Sequence, residues 1–315
     1  MQNKKIVIAG GTGFIGESLI DHFGSTNRII ILSRKPQPPR DHVTYAYWDG
    51  KNIGEWAQLL EGTDLLINLA GKSVNCRYTE ENKAAILASR IESTQVLGEA
   101  VKQLKKPPTL WINSGSATIY RHSEDKPMDE FTGEIRNDFS VQVCKRWEQS
   151  FNDIRLTATR KVILRIAVTL GKQGSVMIPY LNMIKFGLGG FQGSGRQMYS
   201  WVHVTDLARM MEWLYEHPEC SGTYNCAAPN PVTNKAFMTS LRKATGSSFG
   251  LPAYTWMLKI GAQLIGTETE LLLKSRWVIP TRITHAGFTF QYPELPAAFQ
   301  QIISELPRKQ YKLLV

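Results

Sequence analysis

The stretch from Ile6 to Gly16, IVIAGGTGFIG, decides how the chain is read. Ile6, Val7, Ile8 and Ala9 form the short apolar run expected of a strand buried on both faces. Gly10, Gly13 and Gly16 follow at a spacing of three, and Gly11, Gly13 and Gly16 also satisfy the looser GxGxxG pattern. Ile15, Leu19 and Phe23 then share one face of a helical pattern. A strand, a glycine turn and a helix start therefore come in direct succession. A turn without Cβ atoms lets backbone amides approach a pyrophosphate. The helix N-terminus adds partial positive charge, worth about 0.3–1 kcal/mol per anionic group. The stretch predicts dinucleotide binding.

Composition narrows the alternatives. The 315 residues suffice for one large or two modest domains, with 43% hydrophobic and 20% charged residues as in ordinary globular chains. No apolar run reaches the roughly 18 residues of a membrane-spanning helix. The first strand begins almost at once, so no secretion signal is expected. Cys76, Cys144, Cys220 and Cys226 form no CxxC pair and the histidines form no HExxH motif, which points to reduced thiols, no metal site and a cytoplasmic protein. The net charge is +10, yet Lys and Arg are spread along the chain without a basic tail or an aromatic-interleaved basic helix. Neither nucleic acid nor a membrane is the expected partner; a phosphorylated cofactor and a small-molecule substrate are. The sequence leaves the oligomeric state open.

Strands and helices alternate through the first half. The run Arg28 to Leu32 ends in Ser33-Arg34-Lys35, where NAD readers usually carry an acidic residue for the ribose 2′-hydroxyl. A carboxylate would repel a 2′-phosphate, whereas a guanidinium grips it with two charge-assisted hydrogen bonds. Ser33 and Arg34 therefore predict NADP(H). Val43 to Trp48 alternates as a strand. Asp49 after it either approaches the adenine or starts the Asp49-Gly50 turn, and Tyr47-x-x-x-Lys51 lies on the adenine side, away from any chemistry. Asp64 to Leu69 is another buried strand, followed by Ala70-Gly71. A helix is expected from about Glu80 to Leu104, with Thr79 as N-cap. Arg77 and Arg90 beside it are either solvated charges or anion contacts. The strand Thr109 to Ile112 runs into a hydroxyl cluster, Asn113 to Tyr120, at the edge where open α/β sheets hold their chemistry. A helix from Asp138 to Phe151 and a strand from Lys161 to Leu164 follow. Beyond Gly171 the alternation weakens. Gly187 to Gly195 reads as a loop over a cleft, and Asp206 as a helix N-cap. Prolines between short helices after about residue 228 indicate a smaller subdomain.

Several motifs now coincide. Gly10-Gly11-Thr12-Gly13-Phe14-Ile15-Gly16, Asn68-Leu69-Ala70-Gly71, Ser114-x-Ser116-Ala117-x-x-Tyr120 and Trp201-Val202-His203-Val204-x-Asp206-Leu207 resemble the extended short-chain dehydrogenase/reductases, the NAD(P)-dependent sugar epimerases and dehydratases. Arg77-Tyr78-Thr79, Ser89-Arg90, Asp138-Phe139 through Cys144 and Trp147-Glu148, Gly193-Ser194-Gly195-Arg196, Val232-Thr233-Asn234, Pro280 and Gly287-Phe288 are similar to an atypical epimerase-like subgroup. That subgroup carries a C-terminal domain of unknown function, and some members are labelled cell division inhibitors. The resemblance spans nearly the whole chain. It implies that Gly10, Thr12, Gly13, Phe14 and Ile15 form the pyrophosphate turn, that Ser33 and Arg34 hold a 2′-phosphate, and that Leu69, Ala70 and Gly71 wall the adenosine and nicotinamide ribose. It also implies Arg90 near the cofactor and Ser116 on the substrate oxygen. Typical members use Tyr-x-x-x-Lys on the next helix, the Lys holding the ribose and the Tyr exchanging the proton. Lys145 fits the Lys position, but Val141 stands in the Tyr position and cannot transfer a proton. Tyr120 and Tyr78 are the alternative donors. Arg121, where Gly is usual, narrows the cleft in this reading.

The expected fold is thus a Rossmann-type doubly wound parallel sheet over residues 1–172, with a return segment near 200–228, and a substrate-side and C-terminal subdomain over 173–315. The expected activity is that of an NADP(H)-dependent epimerase or oxidoreductase on a small hydroxylated or carbonyl substrate, with Ser116, Lys145 and Tyr120 as catalytic candidates. The alternative is a catalytically silent NADP(H)-dependent regulator or scaffold. A serine hydrolase is excluded because no Gly-x-Ser-x-Gly elbow is present.

Overall fold

Alternate residues of the first strand, β1 (Lys5–Ala9), face different helical layers: Ile6 and Ile8 turn to one core, Val7 and Ala9 to the other, and all are fully buried. The computed structural model describes residues 1–24, 26–174, 176–265, 268 and 270–312. After β1 come α1 (Phe14–Phe23), β2 (Arg28–Ser33), β3 (Val43–Tyr47), β4 (Leu65–Asn68), α2 (Glu80–Lys102), β5 (Leu110–Ser116), α3 (Phe139–Asn152) and β6 (Arg160–Ile166). Thr79 caps α2 by accepting the Asn82 amide at 3.2 Å, and Asp138 caps α3 by accepting that of Val141 at 2.9 Å. The second half holds β7 (Val168–Leu170), α4 (Met177–Lys185), β8 (Met198–Tyr199), β9 (Trp201–His203), α5 (Val204–Glu216), β10 (Gly222–Cys226), β11 (Val232–Thr233), α6 (Asn234–Ala244), α7 (Thr255–Ile265), α8 (Glu270–Leu273), α9 (Thr281–His285) and α10 (Leu295–Ser304).

The main sheet has 7 strands in the order β10-β6-β5-β4-β1-β2-β3, all pairings parallel. Leu19, Ile20 and Phe23 of α1 and Leu207, Met210 and Met211 of α5 fill one face. Val96, Leu97 and Val101 of α2 and Phe151 of α3 fill the other. The chain leaves β1 in one direction for β2 and β3, then returns to β4 on the other side. The switch point, where such sheets bind ligands, lies above the carboxyl ends of β1 and β4. A further core is built by Met177, Tyr180, Trp201, Phe237 and Phe299, between α4, α6 and α10.

One local expectation changes. Asp206 is not the N-cap of α5; His203 is, its Nδ1 accepting the Thr205 amide at 3.2 Å. Asp206 is fully buried in the first turn and accepts from the Gln291 and Tyr292 amides at 2.7 and 2.8 Å, so it fastens a C-terminal loop to the sheet. The loop from Gly187 to Gly195 is stitched to residues 251–253, with Gly190 N–H bonded to the Leu251 carbonyl and Gly193 N–H to that of Ala253, both at 2.9 Å.

The helix α1 sits against its own turn. A Cβ on Gly16 would lie 2.0 Å from the Gly11 carbonyl oxygen, a backbone atom that no rotamer can move aside. Gly16→Ala is therefore expected to destabilise the fold by at least about 1–3 kcal/mol in urea unfolding; an unchanged midpoint would contradict this packing.

Candidate active site

The glycine turn borders a groove of about 880 Å³ over the switch point, lined by Gly10, Thr12, Gly13, Ser33, Arg34, Asp49, Leu69, Ala70 and Gly71 among others. Gly10 takes a φ of +74°, and a Cβ there would meet Ala70 Cα at 2.8 Å. Only glycine lets the two crossing segments approach in this way. Gly13, at the N-cap of α1, has no other atom within 4 Å of where a Cβ would stand, so the space above the helix N-terminus is open. Phe14 and Ile15 bring backbone amides to this opening but turn their side chains elsewhere. The Phe14 ring packs on Gly171 and Gly174, and Ile15 on the core.

At the far end of the groove, Arg34 and Lys35 are exposed and, among the described residues, make no ion pair. The Ser33 hydroxyl donates to the Lys35 carbonyl at 2.9 Å, which fixes the turn that presents Arg34. The acidic groups nearby are engaged. Asp49 accepts from the Lys51 and Asn52 amides at 2.8 and 2.9 Å, and these bonds hold its carboxyl below the usual range. Asp49 is thus a turn former. Glu92 pairs with Lys51 at 3.3 Å. The groove is left electropositive where β2 ends, and these residues fit a phosphorylated dinucleotide.

Behind the groove, the carboxyl ends of β4 and β5 are joined by a buried polar ladder that the sequence reading did not single out. Asn68 Nδ2 donates to Asn113 Oδ1 at 2.8 Å, Ser114 donates to the Asn68 carbonyl at 2.7 Å, and the Ala70 amide donates to Asn68 Oδ1 at 3.1 Å. Its only signal was an Asn at the end of each strand. The ladder sets the height of Ser116, which ends β5. Ser116 Oγ accepts the Thr118 amide at 3.2 Å, leaving its hydroxyl proton for another acceptor.

The other catalytic candidates differ in their surroundings. Lys145 is exposed on α3 and, among the described residues, its side chain has no hydrogen bond or ion pair. The buried face of that helix carries Val141, Cys144, Glu148 and Phe151 instead. Tyr120 is buried, its hydroxyl donating to Asn225 Oδ1 at 3.0 Å and accepting from Arg165 Nη1 at 2.7 Å. Arg165 in turn grips Glu148 with two bonds of 2.8 Å. Burial pushes the Tyr120 phenol up, against the Arg165 charge. Arg121 is tied to Asp125 and Glu134.

Arg90 and Tyr78 do converge. Arg90 Nη1 donates to the Lys72 and Ile86 carbonyls at 3.0 and 2.9 Å, and its guanidinium lies over the Trp147 ring at 5.2 Å. A Cβ on Gly71 would meet Arg90 Cζ at 3.2 Å, so this side chain forms the wall where the groove ends. Beyond it the charge of Arg90 bears on Cys144 and Tyr78. Burial pushes the Cys144 thiol up to about 12. Tyr78 is half-buried against Phe139, with ring centroids 5.0 Å apart; burial raises its phenol, while the neighbouring Ser140 hydroxyl and the charge of Arg276 lower it. Arg276 reaches in from the C-terminal part and donates through Nε to Thr118 Oγ1 at 3.1 Å. Ser140 and Cys144 lie in the Asp138-to-Cys144 stretch that resembles the subgroup, though without an assigned role, and Arg276 carried no motif.

A parallel sheet with this glycine turn and groove defines a nicotinamide-dinucleotide-binding protein of Rossmann type. The chain belongs to the NAD dependent epimerase/dehydratase family, whose model matches residues 6–227; residues 255–302 match a domain of unknown function, DUF1731. It is similar to the epimerase family protein YfhF of Bacillus subtilis (strain 168), with 32% identity over 305 residues that cover 95% of this chain and 98% of that protein. It is also similar to the human epimerase family protein SDR39U1 (isoform2), whose crystal structure is with NADPH: the TM-score is 0.85 and the identity 30%, over 96% of this chain and all of that one. The UDP-N-acetylglucosamine 4-epimerase from Bacillus cereus, at a TM-score of 0.76 and 16% identity over 97% and 99% of the two chains, shares the fold. Among the described residues no helix is long and apolar enough to cross a membrane, and no cluster of metal-ligating side chains occurs.

The Tyr120 hydroxyl answers both Asn225 and Arg165 inside the protein. Tyr120→Phe is expected to cost about 1–3 kcal/mol in chemical denaturation by orphaning these groups, with dinucleotide affinity unchanged. Wild-type stability in the variant would show that the network is dispensable.

Proposed function

We propose that the protein is an NADP(H)-dependent oxidoreductase or epimerase-like enzyme acting on a small hydroxylated or carbonyl substrate. The observation that carries this reading is the groove itself, open above Gly13 at one end and lined by an unpaired Arg34 at the other. In this reading the amides of Gly13, Phe14 and Ile15, with Thr12, hold the diphosphate at the helix N-terminus. Arg34, presented by the Ser33 turn, grips the 2′-phosphate. Leu69, Ala70 and Gly71 wall the ribose and adenine, and Arg90 closes the groove toward the chemistry. A protein with four free cysteines suits a reducing, cytoplasmic setting.

The nicotinamide, when bound, supplies or takes up a hydride. Ser116 orients the substrate oxygen with its free O–H. The proton at that oxygen is assigned to Tyr78, since the Tyr120 hydroxyl is committed to Asn225 and Arg165. The ribose is assigned to backbone groups and Arg90, with the exposed Lys145 the further candidate. Burial raises the Tyr78 phenol, so it is protonated at neutral pH, as a donor requires.

Fluorescence titration is expected to give tighter binding of NADPH than of NADH, and Arg34→Ala should narrow that gap by about tenfold or more. Equal affinities in the unaltered protein would refute the phosphate assignment. In a screen of carbonyl compounds for NADPH oxidation, Tyr78→Phe should slow turnover by about 10²–10⁴-fold at unchanged NADPH affinity. Undiminished turnover would remove Tyr78 from the mechanism, and silence of the unaltered protein across the screen would favour a regulator.

A further inference from the structure

The surroundings of Arg276 hold more positive charge than the carboxylates there answer. Arg276 donates through Nε to Thr118 Oγ1 at 3.1 Å, and its Nη1 reaches the Lys274 carbonyl only at 3.5 Å. Among the described residues nothing accepts from its Nη2, and no carboxylate lies within ion-pair distance of it. The carboxylate whose charge bears most on Arg276 is that of Glu270, which sits 3.5 Å from Lys274 Nζ. Lys274 also holds Asp138 at 2.8 Å. Arg90 likewise spends its bonds on carbonyls and a ring face. Lys274 is answered by Asp138 and Glu270, and Glu268, which accepts the Tyr78 amide at 2.9 Å, pairs with Arg77 at 3.5 Å, so Arg77, Arg90, Lys274 and Arg276 outnumber Asp138, Glu268 and Glu270 by one cation. Arg165 is the contrast, since Glu148 matches it in both bonds.

A partly buried guanidinium with unmet N–H groups is costly, and its fork geometry fits an oxyanion. The hydroxyl-bearing neighbours agree: the charge of Arg276 bears on Tyr78, and Thr118, which braces Arg276, follows Ser116 by two residues. We propose that Arg276 is the anchor for an oxyanion carried by the substrate, a carboxylate or phosphate group, received through its free Nη edge beside Tyr78. This deepens the functional reading above and rests on it. The substrate is then a small anionic molecule whose carbonyl or hydroxyl reaches Ser116 while its charged end lies on Arg276. The C-terminal part contributes the selective residue and the sheet contributes the chemistry.

Calorimetric titration at fixed ionic strength tests this, with and without saturating NADPH. The probes are oxamate and glycerol 3-phosphate, against their neutral counterparts oxamide and glycerol. At least one anion is expected to bind the NADPH-loaded protein while its neutral counterpart does not, and the anion that binds identifies the source. Arg276→Gln should weaken that binding by about tenfold or more, Arg276→Lys by less, and NADPH affinity should not change. Thr118→Val, which frees the guanidinium from its brace, should also weaken the anion and serves where Arg276→Gln does not fold. The inference is overturned if neither anion binds the loaded protein, if neutral probes bind equally well, or if Arg276→Gln binds undiminished. Failure of NADPH to bind, with Arg276-dependent anion binding intact, would instead remove the functional reading and leave the oxyanion site standing.

Discussion

The close passage of Gly10 beside Ala70 is the constraint on which the rest depends. A Cβ at Gly10 would lie 2.8 Å from the Ala70 Cα, and the backbone there is left-handed. The contact lets the turn after β1 and the turn after β4 share the switch point without a side chain between them. The groove exists because nothing fills this crossing, and the helix N-terminus can face it because Gly16 presses against the Gly11 carbonyl. Small residues here do what large ones do in the core: they fix distance.

Polar groups behind the groove divide into two kinds. Asn68, Asn113 and Ser114 satisfy one another, as do Glu148, Arg165, Tyr120 and Asn225. These closed sets cost little because every buried donor has an acceptor, and they hold β4, β5, β6 and β10 in register at their carboxyl ends. Arg34, Arg90 and Arg276 are of the other kind, cations with no carboxylate in ion-pair reach among the described residues. The closed networks give rigidity, whereas the open cations give affinity for something the chain does not itself contain. The net charge of +10 has part of its physical meaning here.

The sheet and cofactor turn were legible in the sequence because their signals are local. A strand buried on both faces is a continuous apolar run, and β1, β2 and β4 read as such. The caps Thr79 and Asp138 announce their helices by residue type. Asp206 misled because an acidic residue near a helix start suits either a cap or a buried tether, and only the position of the loop at Gln291 decides. On α3 the spacing of Val141 and Lys145 fitted a familiar pattern, yet Val141 is buried with Cys144 and Glu148 while Lys145 is exposed. Periodicity gives a stripe, but the choice between adjacent stripes is made by packing. Arg276 was illegible because its partner Thr118 lies more than a hundred residues away in the chain and no motif links them.

The central claim is that one dinucleotide lies across the carboxyl edge of the sheet, with the reacting ring at the Ser116 end. A crystal structure of the NADPH complex tests it most directly. The account predicts the diphosphate on the amides of Gly13 to Ile15, the 2′-phosphate against Arg34, and the nicotinamide facing Ser116 and Tyr78. A dinucleotide seated elsewhere, or a nicotinamide turned toward Lys145 on the solvent side of α3, would contradict it.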